Sequence, residues 1–224
     1  MILGQAKNRF LILFIGILCL IFLSPLLGGT LGLALILDLC YSFLLISCVF
    51  AVSRNKLYAI LTSVLALPFL AVTWGAHFFS FPKSIFIASS FSGILFFGSI
   101  IYMIFKHVIW QKKVSYEVIY GAIVVYLLMG ILYAIGYGII DRLDPNAFYF
   151  GNEFIEDSRL LFLYFSYVTQ TTLGYGDITP IAPIARSLVM LEALLGQIYL
   201  VVLVAWLVGM HVSQSLTENG KSEK

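Results

Sequence analysis

Six stretches of this chain stay apolar over the length a helix needs to cross a bilayer, about 20 residues. They cover residues 10–27, 31–52, 57–74, 84–105, 118–140 and 183–212. Hydrocarbon offers the backbone no hydrogen-bonding partner, so a lipid-exposed segment must satisfy its own amides. For a single segment the α-helix does that. With 61% hydrophobic and 11% charged residues and a mean hydropathy of +1.02, the whole chain departs from a soluble domain in the same direction. The expectation is an all-α membrane protein with six transmembrane helices.

The Lys and Arg residues orient these spans. Lys7, Arg9, Arg54, Lys56, Lys106, Lys112, Lys113, Lys221 and Lys224 fall on one side, and Lys83, Arg142, Arg159 and Arg186 on the other. Cytoplasmic loops carry the excess of cations. Nine of the 13 therefore place both termini in the cytoplasm, in a plasma or inner cell membrane. The first span follows Lys7 and Arg9, a pattern that also suits a signal peptide. No small-x-small cleavage site follows clearly, so it is read as a span, and the orientation of the rest holds either way. Residues 106–113 mix cations with Val108, Ile109 and Trp110, which suits a helix lying in the interface. In the fifth span, Gly130 and Ala134 have the small-xxx-small spacing for close helix packing.

Other classes find little support. Cys19, Cys40 and Cys48 lie inside apolar stretches and read as small buried hydrophobes. His77, His107 and His211 are scattered, without metal-site spacing, and a net charge of +2 with no basic run does not suggest nucleic acid. There is no nucleophile–base–acid set and no phosphate-binding loop. Neither an enzyme nor a cofactor is expected.

Between the last two spans the pattern breaks. An acidic loop, 141–157, precedes a half-length helix that Ser158 or Asp157 caps and that ends near Thr171. Then comes Thr172-Leu173-Gly174-Tyr175-Gly176-Asp177. Gly174 and Gly176 accept positive φ at little cost, as residues with a β-carbon do not. The stretch 166–180 resembles the selectivity filter of the tetrameric potassium-channel family, and the likeness extends over 118–212. It implies a re-entrant pore helix and filter loop at the axis of a homotetramer, extracellular in the orientation above. Backbone oxygens of Thr172, Leu173, Gly174, Tyr175 and Gly176 would replace the water around K⁺. Thr172 would add its hydroxyl at the cytoplasmic end, and Tyr175 would brace the filter from behind. Asp177 and Thr171 would support it, with Tyr164, Phe165 and Tyr167 as an aromatic collar, unless those rings face lipid. Val168 departs from relatives that carry a glutamate there to pair with the filter aspartate. Asp177 is left to bond Tyr164, Tyr167 or a neighbouring subunit.

The resemblance also assigns the sixth span. Gly196 lies where the family places its inner-helix hinge, although glycine serves close packing equally well. Gln197, Leu200, Val204 and Val208 share one helix face, either a cavity lining with a dewetting gate or an ordinary packing stripe. Glu192, an acid inside a span, is expected to hydrogen-bond the back of the pore helix. Asp141, Asp144, Glu153, Glu156 and Asp157 outnumber Arg142 and Arg159, which either concentrates cations at the mouth or only solvates a loop.

Six spans resemble the voltage-gated branch, but 84–105 contain no Lys or Arg. Asp38 sits where a sensor keeps a countercharge, with Lys83, Lys106 or a polar neighbour as expected partners. The expected layout is a voltage-sensor-like four-helix domain at 1–105, an interfacial linker helix at 106–117, a pore domain at 118–212 and a short cytoplasmic tail at 213–224. The expected function is passive, potassium-selective conduction with weak or no voltage sensing. A voltage-gated channel with an atypical sensor and a potassium-transporter subunit are the alternatives.

Overall fold

The computed structural model describes residues 9–26, 32–52, 56–111, 113–151 and 158–222. Lys7, Arg54, Lys112, Lys224, Glu153, Glu156 and Asp157 lie outside the described residues, as does the side chain of Lys221. The elements in chain order are α1 (Arg9–Leu26), α2 (Gly32–Val52), α3 (Lys56–Gly75), α4 (Lys83–Ile109), α5 (Tyr116–Leu143), β1 (Phe148–Phe150), α6 (Ser158–Gln170), β2 (Ile178–Pro180) and α7 (Pro183–Ser222). Among the described residues four helical stretches, Lys56–Gly75, Lys83–Ile109, Tyr116–Leu143 and Pro183–Gln214, are long and apolar enough to cross a membrane, and α1 and α2 contribute the shorter apolar stretches Arg9–Phe22 and Asp38–Val52.

One contiguous core joins these elements. On α1 it takes Phe10, Leu13, Ile17 and Leu20, and on α4 Phe96, Ile100, Ile104 and Val108. These are the three- and four-residue steps of one helix face. Lipid is as apolar as leucine, so such faces are held by close packing more than by escape from water. Small residues mark the closest approaches. A β-carbon on Gly121 of α5 would stand 3.0 Å from Val108 and 3.4 Å from Phe10, where α1, α4 and α5 meet. By contrast, α3 buries Thr62 and Ala66, while Leu57, Ile60, Leu61, Val64 and Leu67 are exposed along it.

Two features differ from the sequence expectation. The interfacial linker helix over 106–117 is not a separate element: residues 106–109 continue α4, and residues 110–111 and 113–115 lie outside any helix before α5. The reason is Val108, which extends the buried face of Ile100 and Ile104 by one more turn. Ser115 then caps α5 by accepting from the Val118 N–H. The second feature is a two-stranded antiparallel ribbon, β1 with β2, in register Phe148 to Pro180. It clasps the loops on either side of α6. The Ala147 carbonyl also accepts from the Ile181 and Ala182 N–H groups, at 2.8 and 3.1 Å, which ties the start of α7 to the same clasp.

Candidate functional site

Helix α6 starts at Ser158 and ends at Gln170, within a residue of the expected half-length helix. The chain then turns back on the helix's own last carbonyls. The Thr171 N–H donates to the Tyr167 oxygen at 3.0 Å, the Thr172 N–H to Thr169 at 2.9 Å, and the Leu173 and Gly174 N–H groups to Val168 at 2.9 and 3.2 Å. Carbonyls that a helix end leaves without partners are satisfied in this way, and the start of the motif is fixed to α6.

Positive φ then occurs at every second residue: Thr172 at 60°, Gly174 at 58° and Gly176 at 78°. Leu173 and Tyr175, between them, stay negative. In a uniform strand successive carbonyls point to opposite sides. Alternating left- and right-handed residues cancels that reversal and lets successive carbonyls share a side. The two glycines accept this freely. Thr172 does not, because its branched β-carbon makes φ of 60° a strained conformation. The sequence expectation placed left-handed backbone on the glycines; the structure adds this threonine.

Residues 171–176 are exposed in the single chain, with Leu173 at 56% and Tyr175 at 67%. Tyr175 stands clear of its own chain's interior. Asp177 is bound on both oxygens: the Tyr164 hydroxyl donates to Oδ2 at 2.6 Å and the Ile178 N–H to Oδ1 at 3.0 Å. Val168 is buried and contributes its carbonyl, not a carboxylate. The three aromatic residues expected as a collar divide. Tyr164 reaches Asp177. Phe165 is buried beside Tyr137 and Phe148, at ring distances of 5.1 and 5.8 Å. Tyr167 donates to the Leu127 carbonyl at 2.9 Å. Successive residues of a helix point about 100° apart, so neighbours in sequence cannot all face one target.

Behind the motif lies a buried polar seam. Glu192 is fully buried and accepts from the hydroxyls of Tyr137 and Ser166. Ser166 Oγ also lies 2.7 Å from the Gly130 oxygen. Glu192 thus meets the back of α6, as its position in the sequence suggests. Gln170 donates to the Tyr126 carbonyl at 2.8 Å, and Tyr126 donates back to the Gln170 carbonyl at 3.2 Å. Sequence reasoning did not single out Tyr126, Tyr137 or Gln170. The available signal was a polar atom inside an apolar segment, which must find a partner.

The sixth-span residues separate by depth. Helix α7 runs unbroken through Gly196, where a β-carbon would stand 2.9 Å from Gln170 Cγ and 3.1 Å from its carbonyl oxygen. In this conformation Gly196 therefore serves close packing against the end of α6. Gln197 Nε2 donates to the same Gln170 oxygen at 3.3 Å. Leu200 is half-buried, and Val204 and Val208 are both exposed at 57%.

Around the acidic loop, Asp144 accepts from the Asn146 N–H at 3.0 Å, and the Arg142 guanidinium lies over the Phe86 ring at 5.1 Å. Asp38 finds neither Lys83 nor Lys106. Its oxygens meet His77 and Arg159, each at 2.6 Å. Among the described residues no group of three or more His, Cys, Asp or Glu is placed to hold a metal ion.

Residues 121–212, from α5 through most of α7, match the family model described as ion channel. No curated protein and no solved structure matches the chain. The matched segment is the one that carries the alternating backbone and the polar seam. An ion-channel domain on apolar helices supports passive ion conduction in a membrane, which is not an enzyme activity.

Proposed function

We propose that this chain is one subunit of a homotetrameric, potassium-selective channel with six spans, cytoplasmic termini and weak or no voltage sensing of its own. The observation that carries the reading is the left-handed backbone at Thr172, Gly174 and Gly176 on a strand that the single chain leaves exposed. K⁺ sheds its hydration water only if other oxygens replace it, and backbone carbonyls are an uncharged supply. One strand builds one wall of such a cage. Irregular backbone at membrane depth must be buried in protein or line a wet cavity. A closed ring of identical subunits supplies both.

Two further features favour this reading. The C-terminal end of α6 carries partial negative charge toward the start of the motif, where a cation would dwell. Helix α7 exposes Leu194, Ile198, Val201, Val204 and Val208 along one broad face, a surface for copies of itself or for lipid. Moving one charge through the field is worth about 2.3 kcal/mol per 100 mV, so a stretch 84–105 without Lys or Arg supplies little voltage work.

Purified protein in liposomes, under a potassium gradient with stepped voltage and barium as blocker, tests the proposal. Passive, barium-sensitive flux that favours K⁺ over Na⁺ and changes little with voltage is expected. Steep voltage dependence would indicate a sensor-bearing channel, slow saturable transport a transporter subunit. Absence of any flux would sink the reading.

A further inference from the structure

Arg159 is the second residue of α6, where the helix dipole is positive and a cation is disfavoured. Local helix stability therefore gives no reason for an arginine at this place. Its reason is tertiary. Arg159 Nη1 donates to Oδ1 of Asp38 at 2.6 Å, across 121 residues of sequence, and Asp38 is 1% exposed. The second oxygen, Oδ2, lies 2.6 Å from His77 Nε2, in the segment that joins α3 to α4. One buried carboxylate thus binds α2, the α3–α4 connection and the first turn of α6. A cavity of about 350 Å³ lies beside it, lined among others by Thr73, Ser89, Arg142 and Phe162.

The hydrogen bonds at the two ends of α6 reach different parts of the molecule, while Phe162 between them packs on Tyr137 of α5 and on β1. Ser166, Tyr167 and Gln170, in its second half, bond to α5 and α7. Arg159, at its start, bonds to α2. A helix of 13 residues is a rod of roughly 20 Å, so a shift of its first turn tilts its last. The motif hangs on that last turn through the Val168 and Thr169 carbonyls.

We propose that Asp38 is a positioning residue for conduction: through Arg159 it lets the first four helices set the tilt of α6, and thereby the geometry of the motif that follows. His77 holds the second oxygen and fixes the orientation of the carboxylate. A stimulus received by α1–α4 then acts at the motif itself, with no need to move the lower part of α7. This inference rests on the channel reading above.

The test uses the full chain in liposomes. Asp38→Asn and Arg159→Gln should each change barium affinity and the K⁺ over Na⁺ ratio by roughly tenfold, because each removes the buried Asp38–Arg159 ion pair. The exchanged pair, Asp38→Arg with Arg159→Asp, should recover part of that loss. A merely structural role predicts lower yield with unchanged barium affinity, and that result would overturn the proposal. Should the single variants not fold, Arg159→Lys keeps the charge and loses the planar fork. Altered barium affinity in it supports the coupling, and unaltered affinity refutes it. If the wild-type chain passes no potassium, the channel reading fails, and amide hydrogen exchange decides the coupling by itself. Loss of protection in α6 of Asp38→Asn with α4 unchanged supports it; equal protection in both helices rejects it.

Discussion

Helices α4 and α5 run beside each other at nearly equal length, 27 and 28 residues, yet α5 carries a second kind of contact on its other side. Toward α4 it meets apolar side chains: Val108 and Ile104 close over Gly121, and Leu132 approaches Gly98. Toward α6 and α7 its carbonyls receive hydrogen bonds. Tyr199 donates to Ala122, Gln170 to Tyr126 and Tyr167 to Leu127, and Ser166 Oγ lies 2.7 Å from the Gly130 oxygen. An apolar contact has no preferred direction and survives a small slide, whereas a hydrogen bond fixes distance and angle, and in lipid no water replaces it. The half that carries the motif is therefore held by the more directional contacts. The four helices before it adjoin it mostly through apolar packing, with the Asp38–Arg159 pair, an Arg9–Glu117 ion pair at 3.9 Å and Arg142 over the Phe86 ring as polar ties.

This contrast can be broken by experiment, and the largest effect is expected at the motif. Gly174→Ala or Gly176→Ala puts a β-carbon on backbone at φ of 58° or 78°, a strain of about 1–3 kcal/mol. Loss of conduction or of K⁺ over Na⁺ selectivity in liposomes should follow; an unchanged permeability ratio would remove the motif from the pathway. The two sides of α5 should then answer differently to added volume. A β-carbon on Gly130 would lie 2.5 Å from the Tyr167 ring, whereas one on Gly98, facing Leu132 of α5, would lie at an ordinary 3.8 Å. Gly130→Val should lower the melting temperature by several degrees, the counterpart of about 1–3 kcal/mol of overpacking, and Gly98→Ala should leave it in place.

Smaller effects refine the picture. Glu192→Leu deprives the Tyr137 and Ser166 hydroxyls of their shared partner, at a cost of about 1–3 kcal/mol. Glu192→Gln supplies an acceptor for Tyr137 and a donor for Ser166, so its melting temperature and barium-sensitive flux should stay near those of the parent. Equal loss in both variants would show that the seam needs a carboxylate and not merely its hydrogen bonds. Smallest is Tyr164→Phe, which removes the 2.6 Å bond to Asp177. About 0.5–1.5 kcal/mol is at stake, to be read as a faster decline of flux after a potassium jump.

Much of the layout was legible in the residues themselves. The apolar runs announced helices, because hydrocarbon leaves an exposed backbone few alternatives. The half-length helix before the motif, left-handed backbone at Gly174 and Gly176, and the meeting of Glu192 with α6 all came from local chemistry: a capping residue, a missing β-carbon, an acid that must find a donor. The residues alone left partners open where direction mattered. Tyr164, Phe165 and Tyr167 are one cluster in the sequence, but helical rotation sends them to three targets. The expected interfacial helix merged into α4 because Val108 had a partner on α5 that hydropathy does not reveal.

By itself, then, the order of residues determined which segments are helical, where the backbone can turn left-handed and which side chains need partners. Folding alone decided who those partners are. Asp38 and Arg159 are separated by 121 residues, and no periodicity links them. Thr172 takes a strained conformation that its own chemistry disfavours, held by the end of α6 beneath it. Local preferences act over one turn of helix or one pair of dihedrals, while a buried charge or a strained threonine is stabilised only by groups that packing brings from elsewhere in the chain.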